Sequence, residues 1–257
     1  MKDLALVTGA SRGIGFCLTQ QLARRGYRVV AVGASERIHE LPGRLPEAAI
    51  LPVQADLAAA GGVDAVWAAV DGARSPLRVA ALNAGVSLGG AFLDTDLDEE
   101  LRLLALNVTS QVTLAKRVVR SMAAERRGHI LITSSVSALT PTPYESIYGP
   151  SRAFMYSFAQ GLREELQTTG VVVTALLPGA TATEFHQRAG MHNTAFGTND
   201  GKNDPEQVAR QGVEALFAGR DHVVGGDART RRSALWNKLL PESVKAARFA
   251  KLSNPDR

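Results

Sequence analysis

A chain of 257 residues, 45% hydrophobic and 21% charged, carries enough apolar material for the core of one large α/β domain and too much for a disordered chain. Its net charge of +4 is local: residues 227–257 hold eight Lys/Arg against three Asp/Glu, a net +5, which leaves the other 226 residues at −1. Apolar runs such as 171–173 and 175–177 fall far short of the ~18 to 20 residues of a bilayer span, no signal peptide precedes the first strand pattern, and the single Cys17 excludes an internal disulfide or a Cys-based zinc cluster, so a soluble cytoplasmic protein is expected.

Short runs rich in β-branched residues predict strands at 4–8, 28–32, 50–53, 79–82, 129–133, 171–177 and 222–224, with helix-length segments between them. Strand, helix and strand repeated in this way mean parallel strands joined by right-handed crossovers. The expected fold class is therefore α/β, a doubly wound parallel sheet of about seven strands with helices on both faces. It forms one domain over residues 1–226, followed by a basic helical tail at 227–257. Two long helices are expected, an interrupted one from about 97 to 127 and another from about 144 to 169. Residues 183–204 are rich in turn formers and too long for a plain connection, and they read as a lid over a substrate cleft.

The first strand runs into Thr8-Gly9-Ala10-Ser11-Arg12-Gly13-Ile14-Gly15, and a helical pattern follows at once. Three glycines there permit a tight exit from the strand, close approach of backbone amides to a pyrophosphate, and close helix packing. The helix N-terminus adds positive potential for the phosphates. This segment resembles the TGxxxGxG turn of the short-chain dehydrogenase/reductase family, whose members are single-domain Rossmann folds. Downstream, Asp56-Leu57 resembles the family's adenine-contacting segment and Asn83-Ala84-Gly85 its NAG motif. Pro178-Gly179-Ala180-Thr181-Ala182-Thr183 resembles its PGxxxT segment beside the nicotinamide. The resemblance covers residues 4–226 in the family's order and implies an oxidoreductase that binds a nicotinamide dinucleotide.

The second strand ends in Gly33-Ala34-Ser35-Glu36-Arg37, with no carboxylate at its tip to accept from a ribose 2′-OH. Arg12 and Arg37 offer cations for a 2′-phosphate and Ser35 a hydroxyl, so NADP(H) is expected over NAD(H). Glu36 is the alternative, a ribose acceptor if the strand end is shifted by one residue.

Hydride transfer to a carbonyl leaves an oxygen that needs a proton and a hydrogen-bond donor. Ser135, just beyond the fifth strand, and Tyr148, 13 residues on, resemble the family's pair for these tasks. Asn107, 28 residues before Ser135, resembles the Asn that kinks the long helix and holds a relay water. Tyr144 and Ser134 are the rivals. Tyr144 has no cation four residues on, whereas Tyr148 has Arg152, and Ser134 points to the opposite face of an extended chain. Tyr148-Gly149-Pro150-Ser151-Arg152 departs from the family's YxxxK at its last residue. The resemblance implies that Arg152 orients the nicotinamide ribose and lowers the Tyr148 pKa, but a guanidinium that stays protonated cannot hand a proton on. Reduced turnover is expected, with a cofactor-binding pseudoenzyme as the alternative. Pro150 suits the first turn of a helix that starts near Tyr148.

Other chemistries find less support. Gly149-Pro150-Ser151-Arg152-Ala153 lacks the last glycine of a hydrolase elbow. The five histidines, His39, His129, His186, His192 and His222, show no ligand spacing, so no metal is expected. Nucleic-acid binding would rest on the tail, where no stacking aromatics interleave with Arg229, Arg231 and Arg232. The tail's Leu235, Trp236, Leu239, Leu240, Val244, Phe249 and Leu252 suit apolar stripes on two helices split by Pro241, expected to pack on the body or a second subunit rather than a membrane. The resemblance also implies a small-molecule carbonyl or alcohol substrate, and a homodimer or homotetramer built through the helices that contain Asn107 and Tyr148.

Overall fold

Parallel strands covered on both faces need unbroken apolar runs rather than alternation, and Leu4–Thr8 meets that demand with every residue buried. The computed structural model describes residues 2–197, 201–237 and 239–254. Its sheet contains β1 (Leu4–Thr8), β2 (Arg28–Gly33), β3 (Ile50–Gln54), β4 (Leu77–Leu82), β5 (Gly128–Thr133), β6 (Val171–Pro178) and β7 (His222–Gly225). All pairings are parallel, in the order β3-β2-β1-β4-β5-β6-β7. The predicted strands are all present, with ends within two residues of those expected. The chain leaves β1 toward β2 on one side and returns to β4 on the other, so a crevice opens beyond the carboxyl ends of β1 and β4.

Alternate residues of each strand feed two cores. Leu4 and Leu6 face α3 (Gly62–Gly72), α5 (Ser110–Ala124) and α6 (Tyr148–Glu165), through Val66, Leu114, Val118 and Met155. Ala5 and Val7 face α1 (Gly13–Arg24), the short α2 (Leu41–Arg44) and α8 (Pro205–Phe217), through Leu18, Leu41 and Val213.

The interrupted helix is α4 (Leu97–Leu104), a π-helical turn at Ala105–Thr109, and then α5. Asp96 starts it by accepting from the Asp98 and Glu99 amides at 2.7 and 3.2 Å. The second long helix is shorter than the expected span of about 144 to 169 and begins near Tyr148, where Pro150 falls in its first turn as expected. Tyr144 lies at φ +63°, in the left-handed region that a bulky residue occupies only at a cost, so the helix cannot include it and starts at Tyr148. The segment expected to form a lid contains α7 (Phe185–Arg188) and is tied at its base by reciprocal backbone hydrogen bonds, Ala182 to Asn203 at 2.9 Å and Asn203 to Ala180 at 2.8 Å. Residues 198–200 of the expected lid lie outside the described residues.

The tail forms α9 (Ala228–Asn237) and α10 (Glu242–Ser253). The expected packing on the body holds for α10, where Ser253 Oγ donates to the Pro143 carbonyl at 2.8 Å and the Ala195 amide to that of Leu252 at 3.1 Å. At the end of α9, Leu235, Trp236 and the following Leu239 are 63%, 62% and 74% exposed on this chain, while Thr230 and Ala234 of that helix face the body. No described helix is long and apolar enough to cross a membrane.

Leu131 of β5 is fully buried in the second core, under α8, where the absent side chain of Gly212 lets the helix approach. Leu131→Ala should cost about 2 to 5 kcal/mol. A lower urea midpoint at unchanged m-value is the expected reading.

Candidate active site

The carboxyl ends of β1, β4, β5 and β6 converge on one cleft of about 690 Å³, which extends from the glycine loop to the lid. At the loop, Gly9 turns the chain out of β1 at φ +69°. A Cβ on Gly15 would run into the Gly9 carbonyl, so α1 can start this close to the strand only without a side chain there. Thr8 Oγ1 accepts from the Asn83 and Ala84 amides at 2.8 and 2.9 Å, and Asn83 Nδ2 donates to the Thr8 carbonyl at 3.1 Å. Thr133 Oγ1 donates to Asn83 Oδ1 at 3.1 Å, so Asn83 ties the tips of three neighbouring strands together.

Ser135, Tyr148 and Arg152 meet at the floor of the cleft. Tyr148 is the first residue of α6 and Arg152 lies one turn on, with the guanidinium carbon 5.1 Å from the phenol ring centre. Ser135 and Arg152 both lie close enough to the phenol to favour its ionised form. Burial raises the Tyr148 pKa above its ordinary value; Arg152 pulls it down, Glu145 adds to the rise and Ser135 opposes it, and burial prevails. Burial likewise lowers the Arg152 pKa, against the stabilising neighbourhood of Tyr148. Arg152 is 3% exposed and donates from Nη1 to the Thr133 carbonyl at 3.3 Å, while its Nε is buried with no partner. A Cβ on Gly85 would overlap the other arm of that guanidinium, so the glycine of Asn83-Ala84-Gly85 makes room for Arg152.

The rivals stand apart. Ser134 Oγ donates to the Arg152 carbonyl at 2.7 Å and fastens α6 to the tip of β5. Asn107 sits fully buried in the π-helical turn. Its Nδ2 donates to the Val86 carbonyl at 2.8 Å and to Ser151 Oγ at 3.2 Å, and its Oδ1 accepts from the Val86 amide at 2.9 Å. Both of its donors are therefore committed to holding the segment after β4 against α6.

The adenosine end departs from the simplest expectation. Arg12 and Arg37 do converge, but on a carboxylate of the lid: both donate to Glu184. Ser11 is buried, with its hydroxyl against Gly33, and Ser35 lies on the cleft wall. Asp56 is held by Arg102 at 2.6 Å, which keeps its carboxyl below the usual range, and it accepts from the Ala58 amide at 3.0 Å. Leu57 is part of the core and, with Ile14, borders the cleft. Pro178 ends β6 and Gly179 follows it, Thr181 Oγ1 donates to the Gly179 carbonyl at 2.8 Å, and Thr183 rests on Gly13. The glycine cradle, together with a buried guanidinium nitrogen that lacks an acceptor, fits a dinucleotide with ribose hydroxyls.

Two features escape the sequence patterns. Arg44 lies over the Phe16 ring at 3.9 Å and donates to the Ser11 carbonyl at 3.3 Å, which adds a cation behind the glycine loop. Glu145, just after the left-handed Tyr144, is 2% exposed on the cleft wall, where Ser87 Oγ donates to Oε1 at 2.5 Å. Its only signal in the sequence is its place three residues before Tyr148.

A family profile described as short chain dehydrogenase matches residues 3–193. An uncharacterised short-chain type dehydrogenase/reductase of Sinorhizobium fredii is 33% identical over 217 residues, 81% of this chain and 83% of that protein. Among solved structures, a short-chain dehydrogenase from Sphingobium yanoikuyae in complex with NADPH is 29% identical, with a TM-score of 0.81 over 91% of each chain. A bulky-bulky ketone specific alcohol dehydrogenase from Comamonas testosteroni is 30% identical, with a TM-score of 0.78 over 92% of this chain and 90% of that one.

Burial pushes the Glu145 carboxyl up to about 7, while an unfolded glutamate titrates near 4.5. The folded chain thus holds the extra proton between these values, and stability falls as pH rises from about 4.5 through about 7. Glu145→Gln, neutral throughout, should lose less stability than the wild type between pH 5 and 8, by about 2 to 3 kcal/mol in urea unfolding. Equal losses in the two proteins would mean that Glu145 is already ionised in the fold.

Proposed function

The chain belongs to the short-chain dehydrogenase family and is an NAD(P)-dependent oxidoreductase acting on CH–OH groups; from that premise we propose that it interconverts a carbonyl and a secondary alcohol with NADP(H). The observation that carries this reading is the convergence of Ser135, Tyr148 and Arg152 on the floor of a cleft that opens at a glycine loop.

Gly9, Ser11, Gly13, Ile14 and Gly15 would cradle the diphosphate, with Asp56 and Leu57 at the adenine and Asn83, Ala84 and Gly85 along the ribose. Pro178, Gly179, Thr181 and Thr183 would border the nicotinamide. When bound, the dinucleotide supplies or accepts the hydride. The protein's part is proton management and alignment: Tyr148 gives its phenol proton to the carbonyl oxygen, or takes it from the alcohol, while Ser135 donates a hydrogen bond to that oxygen. The unpartnered Nε of Arg152 suits a ribose hydroxyl. Asn107 acts as a positioning residue, and the second lone pair of its Oδ1 is the place left for a relay water.

Preference for NADP(H) is supported by Arg12 and Arg37 gathering at one point beside the tip of β2, with no carboxylate at that tip, and by the NADPH carried by the Sphingobium relative. Phe185, Phe196 and Phe249 wall the substrate end, which suits a bulky apolar ketone of the kind named for the Comamonas relative. Assembly into a homodimer or homotetramer is proposed with exposed Phe154 of α6, stacked on Phe158, at the contact. A second reading follows from Arg152 itself. A buried guanidinium cannot pass a proton on, and Tyr148 is held above its ordinary pKa, so a cofactor-binding protein with little turnover is the competing outcome.

Fluorescence titration with NADPH and NADH, followed by a ketone panel, separates the two. Turnover with NADPH that falls by roughly 10²- to 10⁴-fold in Tyr148→Phe supports the enzyme. Tight binding without turnover that appears in Arg152→Lys supports the binding protein. In an active wild type, Arg152→Lys should raise kcat and leave cofactor affinity within about threefold.

A further inference from the structure

Under the NADP(H) reading, Arg12 and Arg37 serve a 2′-phosphate, yet both already have an anionic partner. Arg12 donates to Oε2 of Glu184, and Arg37 donates to Oε1 at 3.3 Å, so one carboxylate employs both of its oxygens on both cations. The three residues come from distant parts of the chain: the glycine loop, the turn after β2 and the lid after β6. Beside this contact the lid is seated on the glycine loop itself, since a Cβ on Gly13 would lie 2.9 Å from Thr183 Cγ2.

To a guanidinium fork, a carboxylate and a phosphate monoester look alike, each an anion with paired acceptor oxygens, but the phosphate carries the greater charge. The side chains of Arg12, Arg37 and Glu184 are 29%, 40% and 47% exposed, so water screens the pair and a stronger anion can replace it. The two cations hold the Glu184 carboxyl below the usual carboxylate range, and it competes as a full anion at neutral pH.

We propose that Glu184 is a specificity-determining residue that competes with the 2′-phosphate of the dinucleotide for Arg12 and Arg37, pinning the lid to the glycine loop until a 2′-phosphorylated adenosine takes its place. The proposal rests on the NADP(H) reading. It makes the lid respond to the group that distinguishes the two dinucleotides, and it sets a threshold that an unphosphorylated adenosine does not cross.

Isothermal titration of the full chain with adenosine 2′,5′-bisphosphate and its 3′,5′ isomer, equal in charge, tests it without any turnover. Glu184→Gln should bind the 2′,5′ compound about three- to tenfold more tightly than the wild type and leave the 3′,5′ isomer unchanged. An equal gain on both isomers would mark a general charge effect, and weaker binding of both would make Glu184 a clamp on the bound ligand; either result overturns the proposal. The paired variant Arg12→Gln/Arg37→Gln separates it from the reading beneath. If that variant keeps the wild-type preference between isomers, the NADP(H) reading fails. If it loses the preference while Glu184→Gln matches the wild type, only the role of Glu184 fails.

Discussion

A guanidinium buried to 3% exposure at the carboxyl edge of a parallel sheet is an expensive object, and the surroundings of Arg152 are arranged around it. Gly85 gives up a side chain so that one arm can lie against the backbone. The Thr133 carbonyl takes a hydrogen bond from another arm, and the face of Tyr148 lies 5.1 Å from the guanidinium carbon. Ser134 and Asn107, which lie near Tyr148 and Arg152, spend their hydrogen bonds on holding α6 and the segment after β4 in place. The floor of the cleft is thus built around a charge, which opposes the burial that raises the Tyr148 pKa.

The rim follows different electrostatics. Arg12, Arg37 and Glu184 at one side, and Asp56 with Arg102 at the other, are partly exposed ion pairs whose strength water limits. Such pairs add little stability and rearrange at small cost. A buried charge thus sits at the floor of the cleft and partly exposed, weakly held charges at its mouth.

The lid shows why composition misleads about a pocket. Aromatic residues are only 5% of the chain, yet Phe185 stands 5.5 Å from the Tyr148 ring, and His186, Phe196 and Phe249 form a stack at ring distances of 5.3 and 5.6 Å. Burial among these rings pushes His186 down to about 4, so this stretch presents a neutral, apolar wall to the cleft at physiological pH. Phe249 comes from α10, so a helix that looks like an appendage in the sequence supplies part of the cleft wall.

Strands, their order of appearance and the motifs at their ends were legible in the sequence because each is a local pattern. Buried parallel strands read as apolar runs, and the glycines at 9, 13 and 15 announce a turn that side chains would block. Pro150 made the start of α6 near Tyr148 legible, but nothing local marks the left-handed turn at Tyr144 before it. Tertiary structure alone decided that Arg12 and Arg37 meet Glu184, that Glu145 is buried beside Ser87, and that α10 closes the cleft while the end of α9 stays exposed. The physical reason is range: strand and turn preferences are set within a few residues, whereas the partner of a charge is set by which distant segments the sheet order brings together.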